Sequence, residues 1–261
     1  MKLTSANINV LVKTCRKAAK TLIRDFGEIE HLQVSLKGPG DFVSVADKNA
    51  EKILIDELQK ARPNYSILSE EIGEIKNDSE FKWIIDPIDG TANFLHGIPH
   101  FCISIGLEHN KEIICGIIYD PIKDEMFTAE KGNGSFLNNQ RMRVSSRSKL
   151  EDCIIFTGGP KQDSESRELS FEEYKKFSSK VLIPIRKMGS AALDMAYVAA
   201  GRCDGFWQRN LNYWDIAAGI ILIKEAGGFV TDFSGDGNYI KNKTILATNS
   251  IISKEMIELL K

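Results

Sequence analysis

The segment WIIDPIDGTANF, Trp83–Phe94, places Asp86 and Asp89 around a proline, directly behind an apolar run. Pro87 has no N–H and a fixed φ, so it is expected to stop the hydrogen-bond ladder of a buried strand and hold Asp86 extended at its end. Ile88 then turns back towards the core. Asp89-Gly90-Thr91 reads as a turn into a short helix, whose first amides, Gly90 and Thr91, form an anion cradle. Taken alone, D-x-x-D-G-T fits turn capping as well as metal binding. LSEE, Leu68–Glu71, adds Glu70 and Glu71 at the end of a second apolar strand. If the two strands are neighbours, three or four carboxylates meet at one sheet edge. Like charges shielded from water are costly, and neither motif contains Lys or Arg. A hard divalent cation removes that cost. An oxygen donor set without His or Cys suits magnesium, which also takes substrate phosphate as a ligand. Asp215, in YWDIAAG, follows an aromatic pair at the start of an apolar helix. By itself it is an ordinary first-turn acid that complements the helix dipole.

The rest of the chain must hold these acids. Ile8, Leu11, Cys15, Ala18, Leu22 and Phe26 recur at helical spacing, which predicts an amphipathic helix over 5–27. LKGPGD, Leu36–Asp41, reads as a Gly/Pro turn. A second helix follows, with Ala46, Ala50, Ile53, Leu54 and Leu58 on one face and Ser44 and Asp47 as a capping box. YSILSEE and FKWIID are expected strands. FCISIGLE and EIICGIIYD form a hairpin around His109-Asn110-Lys111, and EMFTAEKGNGSFLNN forms another with glycines at its tip. The second half alternates. CIIFTGG, VLIPIRK, CDGFWQ, GFVTDF and TILATN read as strands. FEEYKKFSSK, SAALDMAYVAAG, WDIAAGIILIKEAGG and SKEMIELL read as helices, and KQDSESRELS as a loop. Such alternation places helices against a sheet. The expected organisation is one compact catalytic unit in two halves, 1–145 with most of the acids and 146–261 with Asp215.

Composition narrows the function classes. The chain has 261 residues, with 43% hydrophobic and 27% charged residues and a net charge of −2. That balance argues against a dedicated nucleic-acid binder, which carries a basic stripe. No apolar stretch approaches a membrane span, and the basic N-terminal residues Lys13, Arg16, Lys17 and Lys20 do not fit an export signal. The expectation is a cytoplasmic protein. Cys15, Cys102, Cys115, Cys153 and Cys203 are widely spaced within apolar stretches and read as reduced core residues. His96 and His100 stand four apart, but Pro99 between them spoils a helical metal face, so they read as loop residues.

Together the motifs resemble the inositol monophosphatase family, nearest its bacterial SuhB-like branch. The resemblance rests on GDFVSVADKNAE, LSEE, WIIDPIDGTANFLHGIPHFCISIGL, RKMGSAALDMAYVAAGRCDGFW and YWDIAAGIILIKEAGG, in that order. It implies an α+β fold, a layered α/β/α/β/α sandwich of the inositol monophosphatase and fructose-1,6-bisphosphatase type, usually dimeric. It implies Mg2+-dependent hydrolysis of a small phosphate monoester, with two to three ions, inhibited by lithium. Carried over position by position, Glu70, Asp86 and the Ile88 carbonyl would hold the first ion. Asp86, Asp89 and Asp215 would hold the second, and a third would lie near Glu70. Thr91 and Glu70 would orient the attacking water, with Asp47 polarising Thr91. Gly90 and Thr91 amides would bind phosphate. Gly189, Ser190, Ala191 and Gln208 would face the alcohol, with Asp89 and Asp215 also touching substrate. Gln208 departs from the pattern, since members acting on inositol phosphates commonly have Glu there. Gln keeps one acceptor, adds a donor and loses the charge, which leaves the preferred alcohol open. The alternatives are a 3'(2'),5'-bisphosphate nucleotidase and a regulatory association with the RNA-synthesis machinery. Nucleotidase-like relatives tend to carry a charged pair after D-G-T, where this chain has Ala92 and Asn93.

Overall fold

A computed structural model describes residues 5–29, 34–38, 41–159 and 164–261. The chain begins with α1 (Ala6–Gly27), a β1–β2 pair (Val34–Gly38, Asp41–Ser44) and α2 (Val45–Ala61). Eight strands follow in one sheet: β3 (Ser66–Ser69), β4 (Gly73–Ile75), β5 (Phe81–Asp89), β6 (Cys102–His109), β7 (Glu112–Asp120), β8 (Glu125–Glu130), β9 (Gly134–Leu137) and β10 (Gln140–Arg141). Their order is β10-β9-β8-β7-β6-β5-β3-β4, and a short helix α3 (Thr91–Leu95) joins β5 to β6. The second sheet, β11-β12-β14-β13, uses β11 (Ile155–Thr157), β12 (Gly205–Arg209), β13 (Phe229–Thr231) and β14 (Thr244–Thr248). Its helices are α4 (Ser164–Ser178), α5 (Ala191–Ala199), α6 (Tyr213–Glu225), α7 (Tyr239–Asn242) and α8 (Ser253–Leu260).

Strand periodicity sorts the side chains into three cores. Trp83, Ile85, Ile103, Ile105 and Ile117 face α1 and α2 with Leu11, Leu22, Leu54 and Leu58. Ile84, Ile118 and Phe127 face the other way, onto α5 and α6. Those two helices are apolar nearly all round because they also bury Phe206, Ile245 and Ala247 of the second sheet. The far face of that sheet, Ile155, Trp207 and Leu246, packs with Phe177, Met256 and Leu260 of α4 and α8. The layers therefore run α/β/α/β/α, as the resemblance implied.

Close approach of α6 to the large sheet depends on two glycines. Gly106 and Gly116 face each other across β6 and β7. A Cβ at Gly116 would lie 2.7 Å from Ile221 Cγ2 and 3.1 Å from the Ala218 backbone, and one at Gly106 would lie 3.0 Å from Ala217 Cβ. The helix that carries Asp215 thus rests directly on the strands beside β5.

Most expected elements form as read. Ser44 and Asp47 make the capping box at α2. Asn110 and Lys111 both have positive φ, the geometry that a two-residue hairpin with native twist requires. Three expectations are corrected. VLIPIRK is not a strand: it forms a single bridge, Arg186 to Phe156, because Pro184 lacks a donor and Leu182 is 77% exposed. Most of KQDSESRELS is helical, since α4 starts at Ser164. Pro87 does not end its strand: β5 continues to Asp89 across a register irregularity between Asp86 and Asp89, and pairing resumes at Asp89 and Cys102. The tip of the expected turn at 36–41, residues 39–40, lies outside the described residues. Among the described residues no helix is long and apolar enough to cross a membrane. All five cysteines are buried and free.

Candidate active site

Strand register brings the acids of the two motifs together. β3 and β5 are parallel, with Ser69 opposite Ile85, and the Glu70 amide donates to the Ile85 carbonyl at 3.3 Å. Glu70 therefore stands beside Asp86. Asp86 is 1% exposed, and its Oδ1 accepts the Ile88 amide at 3.0 Å, closing a tight turn over Pro87. This bulge re-aims the chain so that Asp86, the Ile88 carbonyl and Asp89 serve one end of the strand, a common use of bulges beside active sites.

Asp215 reaches the same place from α6. It sits in the first turn, where its Oδ2 accepts the Asn212 amide at 2.7 Å. Tyr213 ties that end of the helix to β6 by donating to Glu108 Oε2 at 2.7 Å. Asp86 is pushed well above the ordinary carboxylate range, first by burial, then by the charges of Glu70, Asp89 and Asp215. Its carboxyl also hydrogen-bonds with that of Glu70. Carboxylates this close repel when both are ionised, so a positive charge is favoured at this point. Asp89 is pushed up to about 6 by burial, against hydrogen bonds from Ser190, Ala192 and Ala191 that favour its charge.

α5 supplies the opposite wall. Ser190 is its N-cap: the hydroxyl donates to Asp89 Oδ2 and accepts the Leu193 amide at 3.3 Å. The Ala192 amide donates to the same Asp89 oxygen at 2.7 Å. Gly189, with φ +89°, lies against Asn93, whose amide donates to the carbonyls of His100 and Met188 at 2.8 Å each. Asn93 thereby ties α3 to the loop before α5. Gly90 has φ +96°, and a Cβ there would meet His100 O at 3.1 Å and Gly189 O at 3.3 Å. Only glycine fits that position comfortably.

Thr91 opens α3. Its hydroxyl lies 2.9 Å from the Ile88 carbonyl and 3.2 Å from Asp47 Oδ1. One proton serves either acceptor, which leaves lone pairs on the hydroxyl to accept from a water. Asp47 is 1% exposed and its carboxylate accepts two further bonds, from the Ser44 amide and hydroxyl, so burial raises its pKa while Ser44 and Thr91 oppose that rise. The capping and site roles fall on the same carboxylate.

The chemistry of this donor set fits a divalent cation. The acids carry no neutralising Lys or Arg within their motifs. Ser104, opposite Asp86 on β6, holds a buried hydroxyl without a protein partner, as suits a hydrated ion nearby. Among the described residues no three His, Cys, Asp or Glu side chains already close on one point. The acids are instead neighbours at one edge, linked through Asp86.

Gln208 lies on the second sheet. It is half-buried on β12, with its amide packed on Gly158, where a Cβ would fall 1.9 Å from its Oε1. The motifs assign neither Glu51, whose carboxylate accepts from Ser69 and the Glu71 and Ile72 amides, nor Asn93. Glu51 was visible as an acid four positions after Asp47 on the apolar side of a helix. Asn93 had no comparable signal, because its partners are backbone carbonyls distant in sequence.

The sequence profile described as "Inositol monophosphatase family" matches residues 4–261. The chain is 51% identical to an "Inositol-1-monophosphatase" of Rhizobium meliloti (strain 1021), over 98% of this chain and 96% of that protein. It is 39% identical to "Nus factor SuhB" of Escherichia coli (strain K12), over 96% of this chain and 94% of that protein. The crystal structure of extragenic suppressor protein suhB from Bartonella henselae superposes with a TM-score of 0.95 at 52% identity, covering 98% of this chain and 99% of that one. With the layered fold and the acid edge in place, these matches make the chain a member of the inositol monophosphatase family of phosphatases.

Proposed function

We propose that the chain hydrolyses a small phosphate monoester in a Mg2+-dependent reaction, with inositol-1-phosphate or a related polyol or sugar phosphate as substrate. The observation that carries this reading is the Ser69–Ile85 register, which sets Glu70 beside Asp86 while Asp89 and Asp215 act on the same carboxyl. Glu70, Asp86, the Ile88 carbonyl, Asp89 and Asp215 would hold two to three magnesium ions. When bound, such ions supply charge stabilisation and lower the pKa of water. The residues of the chain do the positioning that dominates phosphoryl transfer. Thr91 donates a hydrogen bond to Asp47 or the Ile88 carbonyl and accepts one from the attacking water, while Glu70 orients that water. Gly90 and Thr91 amides, in a first helical turn without intrahelical partners, donate to phosphate oxygens. Ser190 and Ala192 fix the Asp89 carboxylate, and the Gly189–Ala191 segment and Gln208 form the side that meets the alcohol. Asp89 and Asp215 also bind substrate groups. The uncatalysed reaction is so slow that enzymes accelerate it by up to ~10²¹-fold, and no histidine base is required. The working unit is proposed to be a cytoplasmic homodimer, with each chain a single catalytic unit of two halves, 1–145 and 146–261.

A phosphate-release panel with and without magnesium tests the reading. It covers inositol phosphates, histidinol phosphate and adenosine bisphosphates. Turnover of inositol-1-phosphate only with magnesium is the expected result. Preference for an adenosine bisphosphate would establish the nucleotidase alternative, and no turnover of any ester would refute catalysis. The match to a protein named as a Nus factor favours one further reading, association with the RNA-synthesis machinery. Co-purification of RNA polymerase with Asp86→Asn, a variant that should lose turnover, separates the two roles.

A further inference from the structure

We propose that Glu51 is a positioning residue that holds Glu70 against Asp86, and so sets the magnesium affinity of the site. The inference rests on the magnesium-dependent reading above.

Glu51 is 2% exposed on α2, and one carboxylate oxygen, Oε1, gathers three donors. They are the Ser69 hydroxyl, the Glu71 amide at 3.0 Å and the Ile72 amide at 3.3 Å. These donors flank Glu70 on both sides. The β3–β4 turn is only three residues long, Glu70 to Ile72, so fixing its flanks leaves Glu70 little freedom. Without Glu51, two turn amides and the buried Ser69 hydroxyl lose their acceptor.

The turn also needs holding for an electrostatic reason. Glu70 faces Asp86, and the two carboxyls repel whenever both are ionised. A turn free to move would swing Glu70 towards water. Charge-assisted bonds to Glu51 oppose that motion. Asp47 lies four residues earlier on the same helix and grips Thr91 at 3.2 Å. One helical turn, about 5.4 Å of rise, therefore separates two buried carboxylates. One holds the hydroxyl and the other the acid that together orient water in the proposed reaction. α2 spaces these two groups, which otherwise belong to separate chain segments.

The test compares wild type with Glu51→Leu, Glu51→Gln and a control, Asp204→Asn. Asp204 is fully buried and also gathers donors, from Ser145, Arg147 and the Ile154 amide, at the start of β12. Two readouts are taken: hydrogen exchange at the Glu71 and Ile72 amides in metal-free protein, and magnesium half-saturation measured by thermal shift and by phosphate release. Glu51→Leu is expected to speed exchange at both amides and to raise the half-saturating magnesium concentration by about 10–100-fold, lowering kcat with substrate KM little changed. Glu51→Gln keeps an acceptor oxygen and is expected to show smaller changes of the same kind, which keeps the test available if Glu51→Leu does not fold. Asp204→Asn is expected to lower the melting temperature and move neither readout. Magnesium half-saturation within about twofold of wild type in both Glu51 variants overturns the proposal, as does unchanged exchange at both amides. Wild type that shows no magnesium response would refute the reaction assigned above, and the exchange readout would still decide whether Glu51 holds the turn.

Discussion

Replacing Asp89 by Asn should make the metal-free protein more stable, although it removes a proposed metal ligand. An ordinary aspartate titrates at 3.8, and Asp89 is pushed up to about 6 by burial. At ~1.36 kcal/mol per pKa decade, ionised Asp89 costs the fold about 3 kcal/mol. The sign follows from a folded pKa above the unfolded one. Below about pH 3.8 the group is protonated in both states and the cost is absent. It grows as pH rises through about 6 and is complete at pH 7.5. Asn carries no charge yet retains an oxygen for the bonds from Ser190 and the Ala192 amide. In EDTA at pH 7.5, Asp89→Asn should therefore gain about 3 kcal/mol, or roughly 6–12 °C in Tm at 2–4 °C per kcal/mol for a chain of this size. Near pH 4 the two proteins should melt together. Magnesium narrows the gap, because at a hundred times its Kd it stabilises wild type by about 2.7 kcal/mol and the variant by less. Differential scanning calorimetry at both pH values, with EDTA and with magnesium, reads all four conditions. A metal-free variant that melts at or below wild type at pH 7.5 would refute the claim that burial of the Asp89 charge strains this edge. An equal magnesium gain in both proteins would remove Asp89 from the ligand set.

Four further outcomes follow from the same structure. Gly116→Ala pushes a methyl against Ile221 and the Ala218 backbone, so it should cost about 1–3 kcal/mol by urea titration and, by shifting α6 and Asp215, lower kcat; wild-type stability and turnover would refute the close-approach argument. His100 is held down to about 4 by burial and then by Lys123, so the stability it contributes is complete above pH 6.5 and is lost as pH falls towards 4; a His100→Gln urea-midpoint profile that keeps the wild-type slope over that range would count against this. Gln208→Glu restores a charge and removes a donor, so kcat/KM ratios across a panel of polyol and sugar phosphates should change, and identical ratios would free Gln208 of any part in selection. Lithium should depress magnesium-dependent phosphate release, and an unaffected rate across a lithium series would place the chain outside the lithium-sensitive branch.

Residues whose partners are close in sequence were legible, and those whose partners are distant were not. The α2 capping box, the Asn110-Lys111 hairpin and the Gly90 turn follow from local chemistry, and each forms as read. VLIPIRK is apolar enough for a strand, but Pro184 lacks the donor a ladder needs and only a single bridge forms. Pro87 failed in the opposite direction: its missing donor is absorbed by a bulge, so β5 pairs again at Asp89. Acid spacing named Asp86 and Asp89, but only the parallel pairing of β3 with β5 places Glu70 beside them. The two-glycine contact of Gly106 and Gly116 with α6 sets the depth of Asp215, and it has no signature short of the folded contact. A carboxylate edge without its own cations is locally unfavourable. The chain therefore surrounds it with rigid supports that each serve a second structural purpose: Asp47 as a helix cap, Ser190 as another, and Glu51 as the acceptor of a strand turn. Because those supports also hold the fold, the site cannot relax away from its own repulsion without unfolding part of the layer beneath it. That rigidity keeps the acids poised for a cation to relieve them.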